Sequence, residues 1–335
     1  MKEMSEYGVV RDGGAGLIDL SSARGRIRVS GSEATMFLNG LITNDIKTLA
    51  ENHWMPAVFP NVQGRLVAAV RVVRGDQNSG FLIDTDATSH DPVLKTISRF
   101  TLAGDFHVFD VTTDTALLTI QGKRAAEVVE RVSEIPVSDL PRDGVVETEW
   151  RNQPMTIFRA THTAEDGFDL VIDSARAAKL HDSLNDAGAR LVGQDTLEIL
   201  RIEAGIARHG IDMDETNVVT ETNLDDAVSY TKGCYIGQEI IVRIKHRGHV
   251  AKKLTGLQFE TDQKIESGAI VKSADNKEVG RVTSAVYSPR LGQTIGLGYV
   301  RYEFLAAGTT VLTDNNIAAT VTELPFVRGT WYQNQ

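Results

Sequence analysis

The only cysteine in the chain, Cys234, lies within Lys232-Gly-Cys-Tyr-Ile-Gly-Gln-Glu239. Glycines flank the thiol on both sides and a lysine precedes it by two positions. A nearby cation favours the thiolate, which is the nucleophilic form. These residue types point to a reactive or partner-contacting thiol, against the plainer alternative of a small buried hydrophobe. One cysteine makes no internal disulfide and cannot by itself hold an iron–sulfur cluster.

Glu203 is the second chemical candidate. The spacing predicts a helix over 196–204, which puts this carboxylate in the last turn, at the negative end of the dipole. A ligand with matched N–H donors would relieve it. A pterin ring carries such a flat pair in its N3–H and 2-amino group, and a carboxylate accepts both. An ion pair with Arg201 or Arg208 is the competing reading.

The chain carries 35 basic and 45 acidic residues, a net charge of −10. Residues 232–253 depart from that balance, with Lys232, Arg243, Lys245, Arg247, Lys252 and Lys253 against Glu239 alone. A short basic strip on an acidic protein suits a compact anion better than a nucleic-acid track, and a solvated charged loop is the alternative. Tyr235 is the single aromatic residue in the strip, so direct tRNA contact is disfavoured. Cys234, His246 and His249 match structural zinc poorly, and no metal is expected.

The elements that must position these groups alternate between strand and helix. Residues 25–30 read as a strand, followed by a helix with Ala34, Phe37, Leu38 and Leu41 on one face and Ser32 as N-cap. The unit returns at 117–132 and again at 168–184. Residues 65–73 and 80–84 read as adjacent strands, and Asp91-Pro92 as the start of a short helix through Phe100. Asp195-Thr-Leu-Glu198 reads as a capping box for the helix that carries Glu203. After about residue 250 the periodicity is that of short strands divided by turns, as in a small closed β-domain. With 335 residues, two or three domains are expected, in an α+β arrangement. The start lacks a hydrophobic leader and no apolar run reaches spanning length. A soluble, cytoplasmic protein with no membrane partner is the expectation.

Several segments together resemble the folate-binding superfamily of the glycine cleavage T-protein, and within it the YgfZ branch. Lys232–Glu239 resembles the YgfZ signature, Arg201-Ile-Glu-Ala-Gly205 the segment whose glutamate grips the pterin, and Phe37–Asp45 the N-terminal motif. Gly296–Val300 and Leu324-Pro-Phe326 resemble parts of the C-terminal barrel. The resemblance implies an α+β ring of sheet-plus-helix lobes around a folate cavity, with a folate-binding body over 1–250 and a barrel over 251–335. It implies tetrahydrofolate or a derivative as cofactor, bound by Glu203, with Lys232 beside its anionic part and Cys234 as the reactive thiol. Tyr235, Asn44 and Asp45 would line the cavity, with Arg243, Lys245 and Arg247 near the glutamate tail.

T-proteins carry Gly-Gly-x-x-Asp-Asp where this chain has Gly64-Arg-Leu-Val-Ala-Ala69. Ala68 and Ala69 have no proton to give or take. On that ground a glycine-cleavage aminomethyltransferase is not expected, and the YgfZ resemblance implies instead a tetrahydrofolate-binding helper in assembly or repair of iron–sulfur enzymes, tRNA-modifying ones included, with those enzymes or assembly proteins as partners. A folate-dependent aminomethyltransferase, or another folate-dependent one-carbon transferase, is the alternative.

Overall fold

The structure is a computed structural model that describes residues 5–76, 80–99, 101 and 104–333. Two antiparallel lobes and a barrel make up the chain. The first lobe is a five-stranded sheet in the order His53–Pro60, Leu66–Arg74, Phe81–Asp86, Arg24–Ser30, His107–Asp110. The second is a six-stranded sheet in the order Arg190–Leu191, Gly16–Asp19, Thr115–Gln121, Gly167–Asp173, Pro154–Arg159, Val145–Glu149, in which only the first pair is parallel. The chain visits the second sheet at Gly16–Asp19, builds the whole first sheet, and then returns at Thr115.

Each sheet covers one face with its own helices. In the first lobe Ala34, Leu38 and Leu41 from Ala34–Leu41, with Val93 and Ile97 from Ala87–Ser98, pack on Ile27, Ala68, Val70 and Ile83. In the second, Val128 and Val129 from Ala125–Ser133 and Leu180 and Leu184 from Ala177–Asp186 pack on Leu118, Ile157 and Leu170. The other faces meet each other. Val73, Leu82 and Trp54 of the first sheet close on Ile18, Leu117 and Phe158 of the second, together with Leu200 from the helix Gln194–Glu203. Side chains of this size contribute roughly 1.5–3 kcal/mol each when fully buried, so the junction between lobes is a true core.

The C-terminal domain is a closed barrel in the order Lys252–Phe259, Gln293–Arg301, Glu278–Ser288, Ile270–Lys272, Thr310–Thr313, Ala318–Thr322. The α+β class, the paired sheet-plus-helix lobes and the closed C-terminal β-domain expected from the sequence are all present. No helix among the described residues is long and apolar enough to cross a membrane.

Three local expectations need correction. Ser32 does not cap the helix Ala34–Leu41: its N–H and hydroxyl both donate to Asp105 at 2.7 Å, and Glu33 holds the cap position. The helix expected from Asp91 begins at Ala87, where Ser89 donates to Asp86 O at 3.1 Å and holds an extra turn ahead of Pro92. It ends at Ser98, and Phe100 lies outside the described residues. The capping box at Asp195 is absent. The helix starts at Gln194, and Glu6 from Glu6–Arg11 accepts from Gly193 N at 2.8 Å and Thr196 Oγ1 at 3.0 Å.

Candidate functional site

Glu203 stands in the last turn of its helix, as its position in the sequence implies, but its carboxylate is already filled. Tyr7 Oη lies 2.8 and 3.0 Å from its two oxygens, Arg11 donates through Nε and Nη2 at 3.0 and 2.8 Å, and Ser288 donates from the barrel. Glu203 is fully buried and Arg11 nearly so. Burial and the Glu203 carboxylate together push the Tyr7 phenol upward, so it stays a donor. The candidate neighbours Arg201 and Arg208 pair elsewhere, Arg201 with Glu198 and Asp212, and Arg208 with Glu198. The guanidinium of Arg11 supplies the flat donor pair that was expected from a pterin. The carboxylate therefore clasps the N-terminal helix and the barrel to the lobes.

Lys232 is likewise engaged by the protein. It is 7 % exposed and its ammonium donates to Asn39 O, Ile42 O and Asn44 O at 2.7, 2.8 and 2.6 Å. All three protons are spent on carbonyls at the end of the helix Ala34–Leu41. Burial pushes its pKa down to about 8, opposed by Asp45. Tyr235 is buried among Val58, Leu66, Met213 and Ile241, its ring 5.0 Å from Lys232 Nζ. Asn44 ties Pro56 O and Asp226 O together, and Asp45 caps the short turn Ile46–Thr48 through Lys47 N. Cys234 is exposed, and Arg243 is exposed on the helix Gln238–Arg247. Lys245 sits 5.1 Å over the Tyr230 ring, while the side chain of Arg247 lies outside the described residues. Among the described residues no hydrogen bond or ion pair joins the motif at 232–239 to Glu203. Ala68 faces the first lobe's core, and Ala69 packs beside Val58 and Tyr235. Among the described residues no group of three His, Cys, Asp or Glu side chains is placed to hold a metal.

A hollow of about 100 Å³ opens where the two lobes meet the helix Gln194–Glu203. Leu20, Leu197, Ile206 and Ala207 form its apolar walls. Arg24, Asp86, His162, Gln194, Glu198 and Arg208 bring polar groups to it. Beneath it runs a chain of buried charges that joins the sheets. His162 Nε2 lies 3.0 Å from both oxygens of Asp169, and Asp169 Oδ2 is 2.8 Å from Arg71. Arg71 is 2.6 Å from Asp84, and Asp84 is 2.6 Å from Arg24, back at the hollow. Asp84 and Asp169 are fully buried. Burial alone would raise their pKa values, but the arginines around Asp84, and His162 and Arg71 around Asp169, hold both below the ordinary carboxylate range. Sequence reasoning missed this network. Its one signal was an aspartate in the otherwise apolar run Phe168–Ile172, since a buried charge demands a partner.

The whole arrangement has close parallels. Residues 4–232 match the GCVT N-terminal domain and residues 252–328 the glycine cleavage T-protein C-terminal barrel domain. The chain belongs to the glycine cleavage T-protein family. It is 31% identical over 315 residues to an aminomethyltransferase of Rubrobacter xylanophilus, covering 94% of this chain and 83% of that protein. An aminomethyltransferase of Thermotoga neapolitana is 29% identical over 324 residues, covering 94% and 86%. The crystal structure of the glycine cleavage system aminomethyltransferase T from Bartonella henselae superposes with a TM-score of 0.89 at 25% identity, covering 96% of this chain and 89% of that one.

These likenesses overturn the expectation of an iron–sulfur helper set apart from aminomethyltransferases. The relatives that share nearly its whole length carry the aminomethyltransferase name, and nothing in them speaks for iron–sulfur or tRNA partners. The inference from Ala68 and Ala69 failed because it took one pair of positions as the only source of acid–base groups. Four charged side chains and a histidine stand in the junction nearby.

Proposed function

We propose that this chain is a folate-dependent aminomethyltransferase of the glycine cleavage type, with a folate-binding body over 1–250 and a barrel over 251–335. What carries the reading is a likeness that runs unbroken through both lobes and the barrel to proteins named for that activity. The family's cofactor is tetrahydrofolate, which agrees with the cofactor expected from the sequence. When bound, it supplies the nitrogen that accepts the one-carbon unit.

The lining of the inter-lobe hollow suits such a flat heteroaromatic ring. Leu20, Leu197, Ile206 and Ala207 offer apolar faces, and Gln194 and Asp86 offer polar groups to an amide-like edge. Arg208, about half exposed, suits an anionic tail. At about 100 Å³ the space is smaller than the roughly 300–1,000 Å³ of common ligand pockets, so it would take only part of the cofactor. Glu203 ends the helix that carries Leu197, and Tyr235 belongs to the cluster against which Ala207 packs, while Lys232 and Asn44 brace the first lobe. Exposed Cys234 and Arg243 belong to the face that meets the carrier protein. The YgfZ likeness of Lys232–Glu239 is a likeness of wall-building residues on this view, since Lys232 caps a helix and Tyr235 fills a core. A cytoplasmic setting is part of the same reading, since Cys234 has no second cysteine to pair with.

The test is a reaction with aminomethyl-lipoyl carrier protein and tetrahydrofolate, following ammonia and methylenetetrahydrofolate together. Both products in equal amounts are expected. Tight tetrahydrofolate binding with no ammonia released would overturn the proposal.

A further inference from the structure

The barrel turns one face toward residues 211–217, and a cleft of about 370 Å³ lies between them. That volume is within the roughly 300–1,000 Å³ of common ligand pockets. Three neighbouring strands build the barrel side. Lys252 stands directly opposite Arg301, Tyr299 stands opposite Arg281, and all four line the cleft. Two cations placed opposite each other across a strand pair destabilise it. Among the described residues Lys252, Arg281 and Arg301 make no ion pair. Glu221 acts on Lys252, and Asp214 on Arg281, only from beyond ion-pair distance. Tyr299 is 7 % exposed, and its hydroxyl has no hydrogen-bond partner among the described residues. Burial, with Glu221, Asp212 and Asp214 around it, pushes the phenol upward, so it stays a donor.

The acceptors of the cleft are spent. Asp212 Oδ1 accepts from the hydroxyls of Thr283 and Ser284 at 2.6 and 2.7 Å. Its Oδ2 accepts from Arg201 Nη1 and Arg208 N at 2.6 and 3.0 Å. Asp214 accepts from the N–H and the hydroxyl of Thr216 at 2.7 and 2.6 Å. Glu278 stands exposed at the mouth. With Asp212 matched by Arg201, three cations face two rim carboxylates, and the cleft is net positive. A buried donor without an acceptor is costly, and an incoming acceptor would relieve it. Ile211, Met213 and Val279 add apolar wall.

We propose that this cleft is a ligand site for a small organic oxyanion, a carboxylate or a phosphate ester on an apolar body. The head takes Lys252, Arg301 and the Tyr299 hydroxyl, and the body lies against Ile211, Met213 and Val279. The site is separate from the inter-lobe hollow: Arg201 lines one and Asp212 the other, and their ion pair is the wall between. The inference does not rest on the transferase reading.

The experiment is calorimetric titration of the full chain with phenyl phosphate, with benzoate and with phenol as the uncharged control, followed by methyl NMR. One site with a dissociation constant below about 1 mM is expected for at least one anion, with phenol at least about tenfold weaker. The tighter anion identifies the head group. Methyl signals of Ile211, Met213 and Val279 are expected to shift, while those of Leu20 and Leu197 in the hollow stay. Tyr299→Phe and Arg301→Gln are each expected to weaken binding about tenfold or more, as for a lost hydrogen bond to a charged group. Neither is expected to lower the melting temperature of the free protein, because one deletes an unpartnered hydroxyl and the other relieves a like-charge pair. Neither anion binding below about 1 mM, or phenol binding as well as they do, overturns the proposal. So does affinity that either variant leaves unchanged, or a set of shifts confined to Leu20 and Leu197.

Discussion

Lys232 directs its whole ammonium at three carbonyls, so its charge is structural and poorly hydrated. Its pKa is pushed down to about 8 against an ordinary 10.5. Between those values the unfolded chain binds a proton that the folded chain has released, so this residue makes stability rise with pH across that window. Urea titrations at pH 7, 8, 9 and 10 should show that rise in the wild type and lose it in Lys232→Met. The variant should also be less stable at pH 7, since each abandoned buried acceptor costs about 1–3 kcal/mol. Glu203→Gln is expected to cost about 1–3 kcal/mol, because it removes one of the two buried carboxylates that pair with Arg11, the other being Glu165 at 3.0 Å. The identities of these residues were legible in the sequence, but their partners were not. Tyr7 and Arg11 are nearly two hundred positions from Glu203, and no local pattern announces a contact that only the fold brings about.

At the scale of elements, the motif's second glycine matters more than its thiol for holding the fold. Gly237 has φ of 77°, and a Cβ there would stand 2.4 Å from Asn61 O and 3.1 Å from Gly64 Cα. The helix Gln238–Arg247 thus begins pressed against the turn that leads into Leu66–Arg74. Gly237→Ala should cost about 1–3 kcal/mol from strain and displaced backbone, while Gly233→Ala, with open space around it, should be near neutral. Equal midpoints for the two variants in chemical denaturation would reject this packing argument. The strands and helices with a clear 2- or 3.6-residue period were readable in advance, since period reports directly on which face is buried. Helix starts were not. Asp105 captures Ser32, and Glu6 captures the turn at Gly193, so distant carboxylates took over both ends.

For the whole molecule, the two sheets are joined by apolar packing with one ionic line through it, from His162 to Arg24. Asp84 and Asp169 both have depressed folded-state pKa values. Their contribution is present in full above the ordinary carboxylate value near 3.8 and is lost as pH falls through the folded value. Acid unfolding should therefore report on the junction. Asp84→Asn is expected to lower stability at pH 7 and flatten the loss between about pH 4 and 2, read by intrinsic fluorescence. A wild-type acid limb as shallow as the variant's would show the line to be energetically silent. The barrel was visible in the sequence because its short strands are punctuated locally. The ionic line was not, because its members come from a loop and four strands of two sheets.

The clasp at Glu203 gives the N-terminus a reach beyond its own turn. Tyr7 and Arg11 enter from the first described helix, Ser288 from the last domain, and one carboxylate answers both. Trimming the chain past residue 11, or crowding that end with a fused partner, would thus be felt some 280 positions later as a loosened domain, and affinity tags are better carried at the other terminus.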